Sequence, residues 1–321
     1  MLKKVRLASL FVFSICICLI GFSLSDGTEK QANVQNQQAD SLLIVKHLTA
    51  ITKTDGYRNY ENIPLLNQIA DYIYAVFLQY ADTVYFQPCL VNGKIYKNVV
   101  CRFNADTAKP LIVVGAHYDV CGEQEGADDN ASGVVGLLEL ARMFSKSKAN
   151  YPIELVAYSL EEPPYFRTEY MGSFIHAKSL YESQTPVYGM LALEMIGYFD
   201  DKKKSQSYPV KVMKVAYGTT GNYILIVRRA DAGIFVKKFS DEFKEVATIE
   251  NHNLKAPSKI QGIDFSDHLN YWKFNFDALM VTNTAFYRNY NYHRIGDTME
   301  TLDIPQMMKV IDAVYLTLVN M

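Results

Sequence analysis

Apolar residues recur with two different periods along the chain, and each period predicts one kind of element. Residues 41–52 and 63–80 have apolar positions at three- and four-residue steps, which indicates two amphipathic helices. Residues 83–88 and 95–103 are strand-like and flank an Asn-Gly turn signal at 92–93. The first part of the domain is therefore expected to contain two helices followed by a β-hairpin.

Beyond the hairpin, buried-type strands alternate with helices. The predicted strands are 111–116, 153–160, 188–196, 222–227 and 277–283, and the predicted helices are 131–146, 170–182 and 303–320. Residues 200–215 are charged and irregular and are expected to form a loop or a small insertion. This alternation predicts an α/β three-layer sandwich, a mostly parallel central sheet with helices on both faces, built as a single domain over 41–321.

The N-terminus has the pattern of an export signal. Lys3, Lys4 and Arg6 precede an apolar run at 7–24, so residues 1–25 are expected to be a cleaved signal peptide and the protein periplasmic or secreted. The alternative is an uncleaved membrane anchor, since 18 helical residues reach about 27 Å. The polar residues 26–40 are expected to be a flexible lead-in.

Composition and charge exclude some partners. The 321 residues are 49% hydrophobic and carry a net charge of −2, or near −5 once residues 1–25 are removed. This charge excludes the basic surface that sequence-independent nucleic-acid binding requires.

Three cysteines remain after the predicted signal: Cys89, Cys101 and Cys121. An odd number allows at most one internal bridge in an exported protein, and proximity along the chain favours Cys89 with Cys101. Three reduced thiols are the alternative.

Acidic side chains and one histidine collect where the predicted strands end. They are His117, Asp119, Asp128, Asp129, Glu161, Glu162 and Glu194. The carboxyl ends of parallel strands meet at one edge of a sheet, so these groups should converge there. So many carboxylates in one crevice repel one another unless cations lie between them, and zinc is the usual cation for oxygen and nitrogen ligands.

A zinc site of this kind also needs a histidine from late in the chain. His252, His268 and His293 are the candidates, and their spacing alone does not choose among them.

Six motifs in order carry a resemblance to a known family: H-Y-D, G-A-D-D-N-A-S-G, E-E, L-E-M-I-G, S-D-H and Y-H-R-I-G-D-T. The set resembles the secreted bacterial leucyl-type aminopeptidases, di-zinc exopeptidases of metallopeptidase family 28. Glutaminyl cyclases and glutamate carboxypeptidases are related to that family. The resemblance covers roughly residues 40–320 and implies the zinc aminopeptidase-like fold, with peptides as substrates.

The resemblance implies two zinc ions per chain. One would be held by His117, Asp129 and Glu194, the other by Asp129, Glu162 and His293, so that Asp129 bridges the pair. His293 is then the late histidine.

Two further residues take catalytic roles by the same resemblance. Glu161 would be the general base of hydrolysis. Asp119 would accept the far imidazole N–H of His117 and so fix the tautomer of the ligand.

The chain departs from the family pattern at Glu194, where relatives acting on N-termini usually have Asp. Glu at this position also occurs in carboxypeptidase-type relatives, which keeps that activity as an alternative. Glutaminyl cyclases typically have Asp here and at the position of Ser266, so both residues favour hydrolysis over cyclisation. A binding module on a decayed peptidase fold would lack ligands, and none is missing. The expected function is a zinc-dependent aminopeptidase.

Overall fold

The computed structural model describes residues 38–104, 108–147, 149–257, 260 and 262–321. The predicted signal or anchor at 1–25 and most of the predicted lead-in at 26–40 lie outside these residues, so both stay predictions. Within the described part of the chain, no helix has the length and apolarity needed to cross a bilayer. Ala39–Met321 forms one compact unit.

Strands run through the whole unit. They are β1 (Thr83–Val91), β2 (Lys94–Phe103), β3 (Leu111–His117), β4 (Ile153–Tyr158), β5 (Val187–Glu194), β6 (Asp200–Lys203), β7 (Thr220–Gly221), β8 (Ile224–Arg229), β9 (Asn251–Ala256) and β10 (Ala278–Thr282). Eight of them form one sheet in the order β1-β2-β4-β3-β5-β10-β8-β9, and β6 pairs with β7 separately. The central strands β4, β3, β5 and β10 are mutually parallel. The pairs β1–β2, β2–β4 and β8–β10 are antiparallel.

Helices cover both faces of this sheet. They are α1 (Ser41–Thr52), α2 (Ile63–Phe77), α3 (Gly133–Phe144), α4 (Gly172–Glu182), α5 (Lys211–Tyr217), α6 (Ile234–Val246), α7 (His268–Lys273) and α8 (Ile304–Asn320). Alternate residues of a strand point to opposite faces. Ile112 and Val114 of β3 therefore join the apolar cluster under α1, α2, α3, α6 and α8, and Val113 joins the cluster under α4 and α7. The predicted three-layer α/β sandwich is confirmed.

Side chains at the helix starts explain where three of the helices begin. Asp40 accepts hydrogen bonds from the backbone N–H groups of the first turn of α1, and Asn62 and Asp303 do the same for α2 and α8. Such caps satisfy N–H groups that have no partner within the helix. Pro64 and Pro305 lie in the first turns of α2 and α8, where no N–H is needed.

The sequence-based assignment is incomplete. Residues 200–215, expected to be a loop or a small insertion, contain β6 and the start of α5, and β6 pairs with β7 in a separate two-stranded sheet. Helix α6 was not predicted, although Phe235, Phe239 and Phe243 form its buried stripe, because charged residues dilute the apolar pattern between them. Strand β9 was missed because it is a mostly polar edge strand, held by its pairing with β8.

The favoured Cys89–Cys101 disulfide is wrong, and the alternative, three cysteines without a bridge, is confirmed. Cys89, Cys101 and Cys121 are all free thiols. In the β1–β2 hairpin, Cys89 lies opposite Tyr96 and Cys101 lies opposite Val84, so the two cysteines occupy distant positions of the ladder. Nearness along the chain does not bring them together, because the hairpin register separates them.

Candidate metal centre

The carboxyl ends of the central strands bring the predicted site residues to one edge of the sheet. His117 is the last residue of β3 and Glu194 is the last residue of β5. Glu161 and Glu162 follow β4 by a few residues. Asp129 comes from the tight turn Ala127–Ser132, which leads directly into α3.

One group of ligand atoms forms around His117. Its Nε2 lies 3.4 Å from Asp129 Oδ1 and 3.5 Å from Glu194 Oε2. Glu161 Oε2 lies slightly farther, at 3.9 Å from the same nitrogen. We call His117, Asp129 and Glu194 the β3 half of the site.

A second group forms around His293, which lies in the loop after β10. Its Nε2 is 3.2 Å from Asp129 Oδ2 and 3.2 Å from Glu162 Oε2. The ring of Tyr292 stacks on this imidazole, with the ring centroids 3.8 Å apart. We call Asp129, Glu162 and His293 the loop half; Asp129 turns one carboxylate oxygen toward each half.

The other late histidines do not join these groups. His268 is buried, and its Nε2 donates to the carbonyl of Ile263 at 2.7 Å. His252 lies against the rings of Tyr217 and Tyr223. Of the three candidates, His293 is the one that lies beside Asp129 and Glu162 in the described part of the chain.

The residues present fit a metal centre. Asp129 Oδ2, Glu162 Oε1 and His293 Nε2 are buried and form no hydrogen bond among the described residues, because the 3.2 Å contacts of His293 Nε2 lack hydrogen-bond geometry. A buried polar atom left unpaired costs about 1–3 kcal/mol, so three such atoms together need a common partner. Carboxylate oxygens and imidazole nitrogens are the ligands that Zn²⁺ takes in catalytic sites.

Without metal, this cluster holds protons. Burial raises the pKa of Glu162 to about 7 and raises the pKa of Glu161 well above its ordinary value. Burial alone would lower the pKa of His293, but the carboxylates of Asp129 and Glu162 raise it to about 10. Burial likewise acts to raise the pKa of Asp129, yet the neighbouring histidines His117 and His293 bring it below its usual range.

Asp119 joins the ends of β3 and β4. Its carboxylate accepts the backbone N–H groups of Glu161 and Glu162, both at 3.1 Å. His117 Nδ1 lies 3.5 Å from Asp119 Oδ1 and 3.2 Å from the Asp119 main-chain carbonyl. A proton on Nδ1 leaves the lone pair of Nε2 facing the cluster, which is the tautomer a metal ligand needs.

A second carboxylate, Asp297, holds the turn that carries Asp129. It accepts the backbone N–H groups of Asp128 and Asp129 at 2.9 and 3.0 Å. Asp128 itself points away from the ligand cluster and accepts hydrogen bonds from the Gly197 N–H and the Asn283 side chain. Asp297 lies within a recognisable motif, but only the fold shows which backbone it holds.

Arg58 was missed by sequence reasoning. It is buried, and its guanidinium donates to the carbonyls of Tyr118 at 2.7 Å, Gly126 at 2.5 Å, and Glu125. These carbonyls belong to the segment that connects His117 to Asp129. No local pattern marks Arg58, because it reaches this segment from about 60 residues earlier in the chain.

Known proteins that are similar to this chain identify its family. Residues 98–318 match peptidase family M28, and the chain belongs to that family. It is a metallopeptidase, a hydrolase acting on peptides. The protein YfbL of Escherichia coli K12 is 42% identical over 283 residues, which cover 86% of each chain. Leucine aminopeptidase 1 of Colletotrichum graminicola is 26% identical over 219 residues, covering 62% of this chain and 47% of that protein.

Solved structures share the fold at low sequence identity. The LapA aminopeptidase of Legionella pneumophila superposes with a TM-score of 0.70 at 20% identity, covering 90% of this chain and 74% of that one. The glutaminyl cyclase of Tannerella forsythia gives a TM-score of 0.62 at 19% identity, covering 88% and 99%. The same scaffold therefore occurs in proteins described as hydrolases and as cyclases.

Metal binding to the metal-free protein should release protons, because Glu161, Glu162 and His293 have raised pKa values and hold protons near neutral pH. Zinc affinity should rise as the pH rises through about 7, where Glu162 loses its proton. Calorimetric titration with zinc in two buffers of different ionisation enthalpy measures the protons released. Glu162→Gln should lower that number and Glu169→Gln, an exposed control, should not; binding without proton release would contradict this electrostatic account.

Replacing Arg58 with Met should destabilise the metal-free protein by about 3 kcal/mol or more, because two buried carbonyls and one half-buried carbonyl lose a charged donor. Denaturant unfolding measures the free energy, and zinc titration should show weaker binding. Arg229→Met is the matched control, since Arg229 forms an exposed pair with Asp231 and such pairs contribute about 0–1 kcal/mol. Equal losses in the two variants would show that Arg58 has no special role in the turn.

Proposed function

We propose that this protein is an aminopeptidase with a co-catalytic centre of two zinc ions. The observation that carries the proposal is the division of the ligand cluster into a β3 half and a loop half that share Asp129. Each half offers one imidazole and two carboxylates, which is a complete protein ligand set for a catalytic zinc. Membership of peptidase family M28 supports the same reading.

Bound zinc supplies Lewis acidity, polarising the scissile carbonyl and making water a nucleophile at neutral pH. We assign proton transfer to Glu161. Its carboxylate is 3.9 Å from His117 Nε2 and belongs to neither half. It takes a proton from the attacking water and delivers it to the leaving amine, a task suited to a carboxyl group whose pKa lies above its ordinary range.

The charge around the site favours a substrate with a free amino end. Glu161 and Asp267 are buried beside the ligand cluster and belong to neither half, and acidic groups attract an ammonium and repel a carboxylate. An aminopeptidase binds the ammonium at the N-terminus of its substrate, whereas a carboxypeptidase must bind the carboxylate at the C-terminus. This supports trimming from the N-terminus even though Glu194 also suits carboxypeptidase-type relatives.

An apolar cavity beside Glu194 would receive the first side chain of such a substrate. Its volume is about 340 Å³, and its walls include Met213, Leu225, Val227 and Met280. A pocket of this lining binds aliphatic or aromatic side chains through apolar burial. The relative named a leucine aminopeptidase is consistent with that preference.

Cyclisation of N-terminal glutamine is the alternative, because glutaminyl cyclases share the fold. Ser266 Oγ donates to Glu194 Oε2 at 2.7 Å, so this pair stands where cyclases typically have two Asp residues. Burial raises the pKa of the Glu194 carboxyl, and the serine hydroxyl opposes this effect by donating to the carboxylate. We therefore favour hydrolysis.

The direct test uses purified, zinc-loaded protein with Leu-initiated and Gln-initiated peptides, read by mass spectrometry. We expect release of free leucine and no pyroglutamate. Glu161→Gln should keep its zinc and lose about 10²–10⁴-fold in kcat, because only proton transfer is removed. Pyroglutamate formation without hydrolysis would overturn the proposal, and so would unchanged turnover in the variant.

The cavity makes a separate prediction. Val227→Phe should narrow it and lower kcat/KM for Leu- and Phe-initiated anilides by about 10-fold or more, while Ala-initiated substrates lose less. Val215→Phe is the control, since Val215 is 87% exposed and does not line the cavity. Equal losses on all substrates would show that the cavity does not hold the first side chain.

A further inference from the structure

We propose that the thiol of Cys121 is an additional metal ligand in the loop half, which makes this half selective for thiophilic divalent cations. The inference rests on the proposed function, since it concerns the same centre. It adds to that function a residue of this chain that the family's ligand pattern does not include.

The position of the thiol carries the proposal. Cys121 Sγ, a carboxylate oxygen of Glu162 and a ring nitrogen of His293 all lie within 4.8 Å of one another. Cys121 follows β3 by a few residues, in the segment that Arg58 holds in place. Its thiol is free and partly exposed, so a cation entering from solvent can reach it.

Neighbouring atoms independently indicate a ligand at this point. Glu162 is only 4% exposed, and its Oε1 has no hydrogen-bond partner among the described residues. His293 Nε2 also lacks a hydrogen-bond partner there. An oxygen and a nitrogen that lack a hydrogen-bond partner, together with a free thiol, therefore surround one small volume.

The other two thiols have a different environment. Cys89 and Cys101 are fully buried in the β1–β2 hairpin, and Cys89 Sγ contacts the Gln87 carbonyl. They pack as small apolar side chains, which is the usual role of a buried free cysteine. They therefore serve as matched controls for Cys121.

Sulfur makes the two halves chemically unequal. The β3 half offers only nitrogen and oxygen, whereas the loop half also offers a soft ligand. Thiolates favour Zn²⁺ and related thiophilic ions over Mg²⁺ and Mn²⁺. When the cation–sulfur bond forms, the S–H bond breaks and its proton passes to solvent.

Cobalt titration of the metal-free full chain tests the proposal, because a thiolate bound to Co²⁺ gives a near-ultraviolet charge-transfer absorption that oxygen and nitrogen ligands do not. We expect this band in the unsubstituted protein by the time cobalt binding saturates. Cys121→Ser and Cys121→Ala should lack it, and Cys89→Ser should retain it. Cys121→Ser should also weaken Cd²⁺ binding by at least about 10-fold and Mn²⁺ binding by less.

Two results would overturn the inference alone: cobalt binding that saturates without the band, or a band that persists in both Cys121 variants. If the unsubstituted protein binds no cobalt at all, both the proposed two-metal function and the inference about Cys121 fail. Measured cobalt content separates these cases.

Discussion

Mutual repulsion among buried carboxylates is the constraint on which this structure depends. Asp129, Glu161, Glu162 and Glu194 are all nearly inaccessible to solvent and lie around two imidazoles at one sheet edge. An isolated buried charge is too costly to persist in a fold, so such groups either take up protons or share cations. The raised pKa values of Glu161 and Glu162 describe the state in which the cluster has taken up protons. The unpartnered ligand atoms indicate the state in which the cluster shares cations.

Much of the surrounding scaffold serves to hold these groups in place despite their repulsion. Asp119 fixes the backbone of the two glutamates, and Asp297 fixes the turn that bears Asp129. Arg58 fixes the segment between His117 and that turn. These contacts join parts of the chain that are far apart in sequence, so the centre is preorganised by tertiary structure and not by any single element.

Sequence patterns predicted the three-layer sandwich and the meeting of the acidic side chains at one sheet edge, but they missed several elements of the fold. Continuous apolar runs such as 111–116 are strong strand signals, and polar residues directly after them, such as His117, must lie at the sheet edge. His293 required the family resemblance, because spacing did not distinguish it from His252 and His268. Arg58 and the pairing of β8 with β9 could not be predicted, because their partners are set by three-dimensional packing and leave no local periodicity.

The central claim is that cations, placed between His117, Asp129 and Glu194 and between Glu162 and His293, make this acidic cluster stable. Anomalous diffraction at the zinc edge, from crystals grown with zinc near neutral pH, tests it most directly. The account predicts two anomalous peaks, one in each half, with Asp129 between them. Crystals grown with zinc that show no anomalous peak at either position would contradict the claim.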